Sequence, residues 1–89
     1  MGGWRKATQA EILAVRNGRA TQPLELMKSG RGLMPGNPIA NEIQLAQRLQ
    51  ELCGAEGYRI EGGMILALRW SITGEEIIID RFEAVAVQS

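Results

Sequence analysis

From residue 64 onward the apolar positions recur at every second residue. Met64, Leu66, Leu68, Trp70 and Ile72 alternate with Ile65, Ala67, Arg69, Ser71 and Thr73, the period of a strand with one strongly apolar face. Thr73 and Gly74 read as a tight turn. A two-residue hairpin there sets Trp70 opposite Ile77 and Leu68 opposite Ile79, so the apolar faces agree in register. Past Ile79 the agreement breaks: Arg81 and Glu83 continue that face while Phe82, Ala84 and Ala86 fall on the other, which predicts a bulge near Asp80 and Arg81 or a strand leaving the sheet. Ile78 and Phe82 on one parity, with Val85 and Val87 on the other, give this segment two apolar faces, the pattern of a strand buried on both sides. In so short a chain a partner or a second copy has to cover the outer face. Residues 58–61, ahead of Gly62 and Gly63, read as the first strand of a three-stranded meander.

Upstream the pattern is helical. Thr8 with Glu11 three residues later has the form of a capping box, Ile12, Leu13 and Val15 make a short apolar stripe, and Asn17 with Gly18 supplies a left-handed stop. Thr21 then caps an expected second short helix, with Pro23 in its first turn, Leu24 and Met27 on one face and Gly30 beyond its end. The connector from residue 28 to 42 reads KSGRGLMPGNPIANE. It ends in Asn37 as a cap and Pro38 at the first position of a third helix of about four turns, closed by Gly54. Ile39, Ile43, Leu45, Ala46, Leu49, Leu52 and Cys53 fall within one half of that helix's wheel. The expected architecture is a single α+β domain over residues 1–89. It has an N-terminal tail (1–7), a helical part (8–54) of two short helices and one long amphipathic helix, and a three-stranded antiparallel β-meander (58–88).

Length and composition narrow the function classes. A chain of 89 residues leaves no room for a second domain and buries only about 60–65% of its unfolded surface. Self-association is therefore expected. The longest apolar run, residues 64–68, is far below the roughly 18 residues of a membrane span, and no apolar signal region follows the first residues, so the expected location is cytoplasmic. Cys53 is the single cysteine and there is no histidine, which excludes an internal disulfide, a zinc site and a Cys-His nucleophile. Formal net charge is zero, yet residues 1–37 carry six basic against two acidic side chains, and the remainder four against eight. That asymmetry fits an anion-binding end, a head-to-tail contact between copies, or simply two solvated faces that differ in charge.

The glycine-rich connector fails both nucleotide fingerprints. A P-loop needs a lysine after its last glycine, whereas Gly36 precedes Asn37 and Pro38. Gly30, Gly32 and Gly36 miss the dinucleotide spacing by one residue. What remains there is a small anion or nucleotide held by Lys28 and Arg31 at a helix mouth. For catalysis, Glu75 and Glu76 lie at a turn and Asp80 can pair with Arg69 on the adjacent strand, the usual surface ion pairing. With neither histidine nor an acid pair in an apolar pocket, no enzyme, cofactor or metal site is expected.

Counting from Ala10, Ala14 and Gly18 fall where a helix-turn-helix places a small residue and its turn glycine, with Leu13, Leu24 and Met27 at apolar positions. Residues 10–29 thus resemble a helix-turn-helix unit, and the later hairpin resembles the wing of a winged-helix domain. Asn17, Arg19 and Pro23 depart from the pattern. The resemblance implies that Gln22, Glu25, Lys28 and Ser29 face base edges and that Arg16, Arg19 and Arg31 face phosphates. The simpler reading is two packed helices joined by an Asn-Gly turn.

The function expected from these patterns is that of a non-enzymatic interaction protein, homo-oligomeric, that binds and regulates or inhibits another macromolecule through its last strand and glycine-rich loop. Trp4, Leu33, Met34, Phe82, Val85 and Val87 are the expected contact residues. The alternatives are a small DNA-binding regulator using Arg16, Arg19, Gln22, Lys28 and Arg31, and a small-anion or nucleotide binder at the loop.

Overall fold

The computed structural model describes residues 3–20 and 22–88. The first helix forms where the capping residues put it. The Glu11 N–H donates to the Thr8 hydroxyl at 3.2 Å and the Thr8 N–H donates back to the Glu11 carboxylate at 2.9 Å, which starts α1 (Gln9–Arg16). Ile12 and Val15 on its inner face are fully buried.

Among the described residues the second helix is absent, and residues 24–28 of the segment that was to form it are a strand. Leu24 and Leu26 are 2% and 1% exposed with the partly covered Glu25 between them, a period of two within β2 (Leu24–Lys28). Pro23 stands just ahead of the strand, where its missing N–H removes no ladder bond. Thr21, the expected cap, lies outside the described residues. A turn then leads into the two-residue β3 (Gly32–Leu33), which pairs back on Met27 and Lys28.

The long helix is shorter than its pattern suggested. Leu24 and Ile39 exchange backbone hydrogen bonds of 2.8 and 2.7 Å, which holds residues 38 and 39 extended and moves the cap to Asn41. The Asn41 side chain accepts from the Gln44 N–H at 2.9 Å, and α2 (Glu42–Cys53) makes about three turns before Gly54 closes it in the left-handed region at φ 71°. Leu45 and Leu49 are buried and Leu52 and Cys53 partly so, while Ile43 is 68% exposed and Ala46 is exposed too. The working apolar stripe is narrower than half the wheel.

The meander is half of a larger sheet. β4 (Gly57–Glu61), β5 (Met64–Trp70) and the 13-residue β6 (Glu76–Gln88) pair antiparallel in that order, and β1 (Gly3–Lys6), β2 and β3 complete an antiparallel sheet of six strands. Residues 3–6 of the expected N-terminal tail are therefore an element of the sheet. β6 is its spine. Val85 and Ala86 have both β1 and β2 as neighbours, and Glu83 has both β2 and β5, so β1 and β5 follow one another along one edge and β2 takes the other. Among the described residues the architecture is α+β, two helices and a six-stranded antiparallel sheet, in place of three helices and a three-stranded meander.

The expected bulge is present, displaced slightly. Ala67 lies opposite Asp80 but Leu68 lies opposite Ile78, leaving Ile79 as the extra residue. The bulge restores the parity of the second half: Phe82, Ala84 and Ala86 join Ile65 and Ala67 on the face that packs against Ile12, Val15, Leu45 and Leu49. Leu66, Leu68 and Val85, on the opposite parity, are buried as well. Arg59 and Arg81 flank Leu66 in the register, and Lys6 and Glu25 flank Val85, so the aliphatic stems of charged side chains cover that face.

Candidate interaction surface

Two features separate the first half of β6 from the rest of the sheet. The pairing of β2 with β6 ends at Met27 opposite Glu83, so among the described residues no strand pairs with the β2 side of β6 over residues 76–82. The side chains around that stretch are also apolar and uncovered: Trp70 is 45% exposed, Ile72 105%, Ile77 46%, Ile78 37% and Ile79 36%.

The hairpin that carries them is well braced. The chain turns through residues 71–75, closed by the Ser71 N–H on the Glu75 carbonyl at 2.9 Å and the Gly74 N–H on the Ser71 carbonyl at 2.9 Å, with the Glu75 N–H on the Ser71 hydroxyl at 3.0 Å. Ile72 stands out from this turn into solvent. Trp70 is held by its N–H on the Glu56 carboxylate at 2.9 Å, and its ring lies over Gly57, where an added Cβ would come within 2.5 Å of it. Arg59 spans Glu61 at 2.9 Å and Glu76 at 3.0 Å across the sheet.

At the inner end of the unpaired stretch the character changes to charged. The Lys28 ammonium donates to the Asp80 carboxylate at 2.7 Å and lies 5.6 Å from the centre of the Phe82 ring. The same carboxylate accepts from the Arg81 N–H at 2.9 Å. Partial burial pushes the Asp80 carboxyl up, but the hydrogen bonds from Lys28 and the Arg81 N–H, with the charges of Lys28 and Arg31, outweigh it and hold the group below the usual aspartate range. Between the end of β2 and this part of β6 runs an open groove of about 400 Å³, lined by Lys28, Ser29, Ile78, Ile79, Asp80 and Arg81 among others.

The sequence-predicted contact residues divide. Phe82 and Val85 are 1% and 0% exposed and belong to the interior. Trp4, opposite Val87 in the register, is 52% exposed at the far end of the sheet from the hairpin. Leu33 is 40% exposed on β3, whereas Met34 packs against the core with its N–H on the Leu26 carbonyl at 2.8 Å. Of the basic residues, Lys28 and Arg31 come together near Asp80, Gln22 is half-buried ahead of β2, Arg19 is exposed past α1, and Arg16 lines a separate groove with Glu42, Tyr58 and Arg59. The helix-turn-helix geometry that grouped them is lost with the second helix. Sequence reading missed Trp70, Ile72, Ile77, Ile78 and Ile79 as surface residues. The signal was there in three consecutive isoleucines, apolar on both parities.

The glycine-rich connector is occupied by the protein itself. Arg48 donates to the Pro35 carbonyl at 3.3 Å and the Asn37 carbonyl at 2.7 Å, and a Cβ on Gly36, which has φ 129°, would run into its guanidinium. Tyr58 donates to the Glu42 carboxylate at 2.7 Å; burial and then that carboxylate push its hydroxyl well above the usual tyrosine range. The half-buried Cys53 thiol, raised by burial, donates to the Leu49 carbonyl at 3.3 Å. Among the described residues no group of three potential metal-ligating side chains is found, and no helix is long and apolar enough to cross a membrane. Comparison with protein-family models, with curated proteins and with solved structures finds no significant match.

Proposed function

We propose that the protein acts without catalysis, by contact: it self-associates and binds another macromolecule, which it regulates or blocks, through the hairpin formed by β5 and the first half of β6. The reading differs from the sequence expectation in where the contact lies, because Phe82 and Val85 are interior residues. The observation that carries it is the grouping of Trp70, Ile72, Ile77, Ile78 and Ile79 at one end of a molecule of 49 × 29 × 22 Å. Spread over the turn and both faces of one hairpin, with Trp70 and Ile78 on one face and Ile77 on the other, they together expose on the order of 500 Å² of apolar surface, and exposed apolar surface grouped in this way marks contact sites. Such a patch, carried on a hairpin closed by hydrogen bonds, loses little entropy on binding.

Light scattering on the purified chain tests the reading. The wild type is expected to exceed its 9.8 kDa chain mass in a concentration-dependent way, and Ile77→Lys to fall to the chain mass with an unchanged melting temperature. A wild type that stays at the chain mass, or an Ile77→Lys protein that associates as before, contradicts it.

A further inference from the structure

The asparagines Asn17, Asn37 and Asn41 stand in three different settings, and the first is open to reaction with its own backbone. We infer that Asn17 is a site of spontaneous deamidation, driven by attack of the Gly18 nitrogen on the Asn17 side-chain amide. The inference is independent of the hairpin contact.

The Gly18 nitrogen gives up its proton to hydroxide and bonds to the Asn17 Cγ. The tetrahedral carbon then expels the side-chain nitrogen, which takes a proton from water and leaves as ammonia, so that a five-membered succinimide remains. Water opens the ring at either carbonyl. One opening gives aspartate, and the other gives isoaspartate, in which the main chain runs through the former side chain.

Asn17 and Gly18 are both exposed, and nothing lies within 4 Å of the place where a Cβ on Gly18 would stand. Glycine brings no side chain of its own to hinder the approach. The Arg16 Nε donates to the Asn17 Oδ1 at 3.2 Å. A cation on the amide oxygen draws charge from Cγ and stabilises the oxyanion that forms on attack. Asn17, at φ −93° and ψ 6°, caps the end of the eight-residue α1. There the Gly18 N–H is engaged with the Val15 carbonyl at 3.2 Å and the Arg19 N–H with the Ala14 carbonyl at 2.8 Å. Attack therefore waits on fraying of this last turn, a local opening that leaves the sheet in place.

The other two asparagines lack these conditions. Asn37 precedes Pro38, whose nitrogen has no proton to lose. The Asn41 side chain is held as the cap of α2 by the Gln44 N–H at 2.9 Å, and the Glu42 side chain crowds the nitrogen that would attack it. Conversion of Asn17 adds one negative charge to a chain of formal net charge zero, at a helix C-terminus where the dipole disfavours a carboxylate. Isoaspartate also lengthens the main chain ahead of Gly18 and strains the two hydrogen bonds that close the turn.

Peptide mapping by mass spectrometry tests this on the purified chain held in mildly alkaline buffer. Asn17 is expected to change from amide to acid in two separable products with isoaspartate in excess, while Asn37 and Asn41 keep their amides. Arg16→Lys keeps the charge at the helix end and removes the guanidinium, and is expected to slow the conversion about two- to fivefold, the scale of one exposed charged contact. Circular dichroism confirms that the variant is folded. In urea the two chains should convert at the same rate, because the donor is no longer held in place. Conversion at Asn17 no faster than at Asn41, or aspartate as the sole product, would overturn the site. An Arg16→Lys chain that converts at the wild-type rate, or is slowed equally in urea, would overturn the part assigned to Arg16.

Discussion

Gly57 has no side chain to spare, because the Trp70 ring occupies the place where one would stand. Gly57→Ala is expected to displace the ring toward solvent at about 1–3 kcal/mol and to shift the tryptophan emission to the red; unchanged emission would contradict the stacking. Glu11 makes the other single-residue prediction. Hydrogen bonds from Arg5 and then from the Thr8 N–H hold its carboxyl at about 2, so it stabilises the fold fully above pH 4.5, and that contribution is lost as pH falls toward 2. The pair with Arg5 is open to solvent and adds little, whereas the helix cap contributes about 1 kcal/mol. Urea titrations of Glu11→Gln should show a shallower decline over that interval than the wild type. A residual slope of the same sign is expected from Asp80, also lowered.

Among the elements, the two halves of β6 make opposite predictions. Val85→Asp places an unpaired carboxylate where exposure is 0% and is expected to cost at least about 3 kcal/mol, unfolding the chain before any contact is tested. Ile72→Asp, at a fully exposed position, should change stability by less than about 0.5 kcal/mol while weakening association. Equal melting temperatures for the two variants would contradict this division. The same contrast marks what the sequence made legible. The capped first helix, the glycine stop of α2, the alternation of β5 and a parity break near residue 80 are local signals, and each has its counterpart in the structure. β2 was not legible, since Leu24 and Met27 suit a helix as well as Leu24 and Leu26 suit a strand over five residues. Pairing with Ala84 and Ala86, sixty residues away, decides between them. β1 is four residues with no alternation to read, and it too exists because β6 offers an edge. Trp70 was read with the apolar face of the strand and, across a two-residue turn, opposite Ile77; the longer turn sets it opposite Glu76 and over Gly57.

At the scale of the whole molecule, one strand organises everything else. The second half of β6 is clasped by β1 and β2 and packed under both helices, whereas the first half has β5 on one side and, among the described residues, no strand on the other. The second half of β6 is thereby tied into the interior while the isoleucines of its first half are uncovered, and the proposed contact lies there. Hydrogen exchange of the backbone amides, followed at low and high protein concentration, reads this directly. The account expects protection to rise with concentration at residues 76–79 and to stay constant at residues 83–86. Exchange at residues 76–79 that is independent of concentration, or added protection confined to the last strand's second half, would contradict it.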